Sequence, residues 1–198
     1  MTDLLATADR TPDDPDRAQP ATTATTRTPT AAALAGASLG VATVLAGLFG
    51  GFFLTYSASV QLGLAEVDDL TYVRTFQAIN ATIRNPAFAV MFFGCVPAIV
   101  LAWVLNRRTD RRAAVALAVG AMLCAAVVVI TFVFNVPLND ELAGWVDPTA
   151  AEASVARAEF ETVWNRWNLA RTILSVAGAS AVAVAAVSAR RGDAARRS

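Results

Sequence analysis

The chain contains no histidine and no lysine, only two cysteines, and charged side chains at just 16% of its 198 positions. Each shortage closes off a class of chemistry. Without imidazole there is no histidine general base, haem ligand or zinc ligand, so Ser-His-Asp and Cys-His catalysis and most transition-metal sites are excluded. Cys95 and Cys124 stand 29 positions apart, which rules out a Cys-x-x-Cys redox pair and a thiolate metal cage. Each lies near the middle of an apolar run and reads as a small hydrophobe. The 16 basic residues, all arginine, are cancelled by 16 acids. No basic excess remains to hold phosphates, so no nucleic-acid partner is expected.

What the chain has in abundance is apolar sequence: 56% of its residues are hydrophobic, too many for an ordinary water-soluble domain. Charge-free windows run from Ala31 to Gln61, Pro86 to Leu105, Ala113 to Val136 and Thr172 to Ala189, the last extendable back through Leu169. A span needs roughly 20 residues to cross a hydrocarbon layer of about 30 Å. The windows are continuous, without the alternation of a barrel strand. The fold class is therefore all-α: a four-helix transmembrane bundle with two outer helical connections and a disordered N-terminal tail. The expected organisation is a cytoplasmic tail over 1–30, a membrane domain over 31–189 with spans near 34–57, 86–105, 113–136 and 169–189, and a basic cytoplasmic tail over 190–198.

The first thirty residues are acidic, with Asp3, Asp9, Asp13, Asp14 and Asp16 among prolines and threonines. They read as a disordered tail, and the apolar run behind them is span-length, so the first helix is a retained anchor and not a cleaved signal. Arginine placement orients the rest. Arg107, Arg108, Arg111 and Arg112 sit in the short second link, and Arg190, Arg191, Arg196 and Arg197 in the C-terminal tail. That makes both termini cytoplasmic in a multi-pass protein of the cell membrane. The longer first and third connections then face outward.

No Asp, Glu, Lys or Arg falls inside the four charge-free windows, which leaves a proton relay or ion-coupled pump without carriers there. The glycines of the first span read as packing positions. The polar information lies in the outer connections. Leu70 to Arg84 repeats its apolar residues at three- and four-residue steps and reads as an amphipathic helix, with Gln77, Asn80 and Arg84 on its other stripe. Asn85 before Pro86 marks the break into the second span. Pro137 ends the third span with a stop or a kink. Asn135 and Asn139 either satisfy the carbonyls freed there or contact a ligand. A helix then starts near Pro148.

On that helix Trp164, Trp167, Asn168, Arg171 and Ser175 share one stripe about 100° wide at about 100° per residue. Two readings stand: an interfacial belt of Trp and snorkelling Arg, or a polar stripe facing a cavity inside the bundle. Tyr56, Ser57 and neighbouring hydroxyls at the end of the first span either line the same cavity or bond their own backbone.

Three ordered strings, Gln77-x-Ile79-Asn80-x-x-Ile83-x-Asn85-Pro86-x-Phe88, Phe134-Asn135-x-Pro137-Leu138-Asn139 and Trp164-x-x-Trp167-Asn168-x-x-Arg171, resemble the anthrone oxygenase-like family of small four-span membrane proteins. The resemblance covers roughly 39–187. The chain has Gln61-Leu62 where that family often carries Met-Pro after the first span. The resemblance implies O₂-dependent oxidation of an anthrone to an anthraquinone without metal, flavin or other cofactor. An anthrone reacts with O₂ once it is deprotonated to its enolate, so a protein has mainly to stabilise an oxyanion and bind a flat aromatic ring system. The expected catalytic donors are Arg171, Asn168 and Asn80. Trp164 and Trp167 offer stacking faces, and Gln77, Asn135 and Asn139 complete the expected substrate-binding set. Glu161 or Glu159, a water, or the substrate's own acidity fills the place of the base. The partners implied are the lipid bilayer, an apolar aromatic small molecule and O₂. Two other functions fit the same sequence: a non-catalytic module binding a partner or lipid through its outer helices, and passive passage of a small hydrophobic compound.

Overall fold

The computed structural model describes residues 28–195. The tail expected over 1–30 therefore lies outside the described residues except for its last three, and these already belong to the first helix and its cap: Thr28 Oγ1 accepts from the Ala31 amide. In chain order the elements are α1 (Pro29–Thr55), a wide π turn (Tyr56–Val60), α2 (Gln61–Ala65), α3 (Asp69–Thr82), α4 (Pro86–Asn106), α5 (Arg111–Ile130), a second π turn (Thr131–Asn135), α6 (Val136–Ala143) and α7 (Ala150–Ala195).

Four of the described helical stretches are long and apolar enough to cross a membrane: Pro29–Ala65, Pro86–Asn106, Arg111–Ala143 and Ala150–Arg190. α1 packs against α4 and α7, and α5 packs against the same two, which closes a four-helix bundle. Side chains such as Leu34, Val44, Val90, Met122 and Val184 point outward. A multi-pass membrane protein presents such a surface to lipid.

The helix ends follow from local chemistry. Asp68 caps α3 by accepting from the Thr71 amide and hydroxyl, and these bonds hold its carboxyl below the ordinary value of 3.8. Asn85 caps α4, accepting from Phe88 N at 3.0 Å, with Pro86 at the first helical position. Asp110 caps α5. The start expected near Pro148 falls at Thr149, which forms a reciprocal capping box with Glu152 and leads into α7.

Two expected boundaries are displaced. Of the stop or kink expected at Pro137, the stop does not occur: the helix runs on through it to Ala143. Proline lacks an amide hydrogen and collides with the carbonyl one turn earlier; the widened turn at Thr131–Asn135 inserts the slack that absorbs both defects. The last span is likewise no isolated segment. α7 is one helix of 46 residues that carries the outer connection, crosses the bundle and continues to Ala195, through most of the expected basic tail.

Bundle helices approach through small residues. A Cβ built on Gly178 of α7 would stand 2.8 Å from Cys124 Sγ, and one on Gly120 of α5 would stand 3.2 Å from the Gly178 carbonyl. Without a strong hydrophobic drive between helices in lipid, such close contact supplies much of the association energy. Gly178→Leu is therefore expected to destabilise the protein by about 1–3 kcal/mol through overpacking. Gly36→Leu, built into open space, is expected to leave stability unchanged in the same detergent unfolding assay.

At one end of the bundle a second core forms. Tyr56, Tyr72, Val73, Phe76, Leu142, Phe160 and Trp164 are buried together, with the Phe76 ring 4.7 Å from Phe160 and 4.9 Å from Trp164, both edge to face. Arg157 ties this cap down. It donates to the Val67 carbonyl at 2.8 Å, pairs with Asp69 and Glu161, and lies over the Tyr72 ring. Burial, then the nearby Glu161, pushes the Tyr72 phenol well above its ordinary range.

Candidate functional site

Between this cap and the bundle lies a cavity of about 670 Å³, within the ~300–1,000 Å³ range of small-molecule sites. α1 contributes Phe52 and Phe53, α4 contributes Phe88, Phe92 and Phe93, and the second π turn adds Thr131 and Phe132. The polar wall comes from α3 (Gln77, Asn80), α6 (Asn139, Asp140) and α7 (Trp164, Asn168, Arg171). The result is an aromatic box with one hydrogen-bonding side.

Arg171 is the chemical centre of that side. It is 6% exposed, and its guanidinium lies 5.0 Å from the centre of the Phe53 ring and 5.2 Å from that of Trp164. Nη2 donates to Asn168 Oδ1 at 2.8 Å and Nη1 to Thr131 Oγ1 at 3.3 Å. Only two of its five N–H donors are thus used, and Nε has no partner at all. Among the described residues the ion pairs within 4.0 Å belong to Arg157, so no carboxylate neutralises Arg171. Burying a cation without a counter-ion is expensive, by several kcal/mol after relaxation. The two aromatic faces offset part of this through cation–π attraction.

The neighbours hold it in place. Asn168 donates to Ser57 Oγ at 2.9 Å and to Gln61 Oε1 at 3.1 Å, and accepts from Arg171. With both donors committed, it orients the guanidinium and has no N–H left for a ligand. Ser57 in turn shares a 2.7 Å hydrogen bond with Thr172. Trp164 donates from Nε1 to Asn139 Oδ1 at 2.7 Å, which fixes the indole against the cavity.

Of the eight residues expected at the site, six line the cavity: Gln77, Asn80, Asn139, Trp164, Asn168 and Arg171. Gln77 spends its amide donors on the Leu142 and Trp145 carbonyls, tying α3 across the end of α6. Asn80 is half-buried, lines the cavity and makes no hydrogen bond to another side chain, which leaves its amide uncommitted. Two residues stand apart. Trp167 stacks on Phe134 at 3.7 Å, away from the cavity wall, and Asn135 is fully buried with a long 3.5 Å contact to the Trp164 carbonyl and an unpartnered Oδ1. Neither expected carboxylate reaches the site. Glu161 is engaged by Arg157, and neither it nor Glu159 lines the cavity; the carboxylate that does is Asp140, itself an exposed side chain. Its spacing of one residue from Asn139, and of three and four from Ala143 and Val136, is the helical signal that a turn-like reading of this segment conceals. Tyr56, which lines the cavity from the first π turn, was within reach of the sequence only as one of several hydroxyls.

A sequence profile described as Anthrone oxygenase matches residues 74–194. That stretch carries α4 to α7 and every polar residue of the cavity wall from Gln77 to Arg171. No curated protein and no solved structure matches the chain. The match extends over more than half of the sequence and includes the buried Arg171 with Trp164 and Asn168 beside it, and the chain belongs to the anthrone oxygenase family.

Proposed function

We propose that this protein is a membrane oxygenase that converts an anthrone-type ketone to the quinone with O₂ as oxidant and no cofactor. The observation that carries the reading is the buried Arg171, lacking a counter-ion, with free donors in a cavity walled by phenyl rings. Such an arrangement leaves the anion to be supplied by the ligand. A flat aromatic ketone sits among Phe53, Phe88, Phe92 and Trp164 with its oxygen toward Arg171.

Asp140 removes a proton from the methylene opposite the carbonyl, and the electron pair left behind delocalises onto the ketone oxygen as an enolate. Arg171 and the free amide of Asn80 stabilise that oxyanion. The electron-rich ring carbon then bonds to O₂, and the peroxide takes up the proton. Loss of water breaks the O–O bond and leaves the second carbonyl. One anthrone and one O₂ thereby give one anthraquinone and one water, the substrate losing two hydrogens and gaining one oxygen atom. The aromatic walls around the buried Arg171 strengthen its interaction with the oxyanion relative to water.

The excess of arginine at the uncapped end supports an orientation with both termini cytoplasmic and the cavity near the outer face of the cell membrane. The reading is tested with purified protein in lipid nanodiscs and anthrone under air. Quinone formation above protein-free nanodiscs, with one O₂ consumed per quinone at an oxygen electrode, is the expected result. A rate equal to that of empty nanodiscs overturns it.

A further inference from the structure

A second hollow opens on the side of the bundle that faces lipid. Between α1 and α4 runs a groove of about 640 Å³ whose walls include Gly47, Leu48, Gly51, Phe52, Phe88 and Met91 and no charged side chain. Gly47 and Gly51 stand one helical turn apart, and a Cβ on either would meet nothing within 4 Å. Their missing side chains are what hollows the surface, and Leu48 between them is 56% exposed. The groove adjoins the cavity across a common wall, because Phe52, Tyr56, Ile83, Asn85 and Phe88 line both. At this shared wall the Phe52 and Phe88 rings meet edge to face with centres 5.5 Å apart.

We propose that this groove is the entrance through which a planar apolar ketone passes sideways from the bilayer into the cavity, with Phe52 and Phe88 as its door. The inference rests on the reading of the cavity as the binding site for such a compound. A tricyclic aromatic partitions into hydrocarbon, and a route that never crosses water avoids re-exposing its apolar surface. Leading from a charge-free trench to a cavity with one polar wall, the path delivers the molecule apolar edge first and leaves its oxygen to be drawn toward Arg171. Rotamer changes of partly exposed side chains take picoseconds to nanoseconds, so two phenyl rings can part without any helix moving.

The test uses anthraquinone as a stable probe that quenches indole fluorescence. With Trp103, Trp145 and Trp167 replaced by Phe, Trp164 is the sole indole of the protein. The protein is reconstituted in phosphatidylcholine vesicles, and the quenching time course after mixing is recorded. Gly51→Phe, which fills the groove, and Gly47→Leu as an independent second block are expected to slow quenching by roughly ten-fold or more while the final amplitude is kept. Gly36→Phe, also built into open space on α1 but outside the groove, is expected to match the parent. Equal rates in all variants overturn the entrance and leave the groove to a lipid acyl chain. Absence of any quenching in the parent overturns the reading of the cavity and the entrance with it.

Discussion

Arg171→Met is expected to lower quinone formation by roughly 100- to 1,000-fold, the usual loss when a single oxyanion donor is removed from a dry site. Its stability is expected to move the other way. A methionine fills most of the same volume, and replacing an uncompensated buried charge with an apolar side chain is often neutral or stabilising. The neighbours survive the change: Asn168 keeps its bonds to Ser57 and Gln61, and Thr131 Oγ1 still donates to the Val127 carbonyl. The pair of measurements separates two roles. A structural arginine would lose stability and activity together, whereas a functional one loses activity while the detergent unfolding midpoint holds or rises. Arg171→Lys keeps the charge and loses the fork that bonds Asn168 and Thr131 at once, so it is expected to recover only part of the rate.

Asp140→Asn is expected to reduce the rate by roughly 100- to 10,000-fold, the range for loss of a positioned general base. In Asp140→Ala the vacated space admits a small carboxylate, and added formate is expected to restore part of the activity in a concentration-dependent way. Glu161→Gln serves as the contrast. Glu161 faces Arg157 at the cap, and its neutralisation is expected to leave turnover within about two-fold while loosening a partly exposed pair worth ~1 kcal/mol or less. Loss of turnover in Glu161→Gln with normal turnover in Asp140→Asn would exchange the two assignments.

The membrane architecture is legible in the sequence because it depends on a crude quantity, the length of uncharged chain, and Asn85-Pro86 names its own boundary through capping chemistry. The α7 stripe is legible because a regular helix projects residues 164, 168, 171 and 175 within about 60° of one another, and all four are buried. Trp167 falls at the margin of that arc, where a contact with Phe134 on the neighbouring element decides its direction. No local rule reports such a contact. Which carboxylate adjoins the cavity was not legible because a carboxylate's neighbours are a tertiary matter: Glu161 is captured by an arginine four residues earlier on its own helix, whereas Asp140 lines the cavity together with residues of α3 and α4. The aromatic box was hidden for a similar reason, since the phenylalanines of α1, α4 and the second π turn look like any lipid-soluble residues until the helices are set side by side.

The two π turns, at Tyr56–Val60 and Thr131–Asn135, occur in different spans yet lie at the same end, beside Arg171. A single extra residue in an α-helix re-phases everything beyond it by about 100°. Each of these spans is therefore two rods joined out of step: one half keyed to its helical neighbours by small residues, the other turned independently to aim Tyr56, Ser57, Asn139 and Asp140. Mutational drift in the lower seam need not rotate the upper wall. The chemistry at the rim can be retuned, or lost, on a scaffold whose grip on its neighbours stays the same.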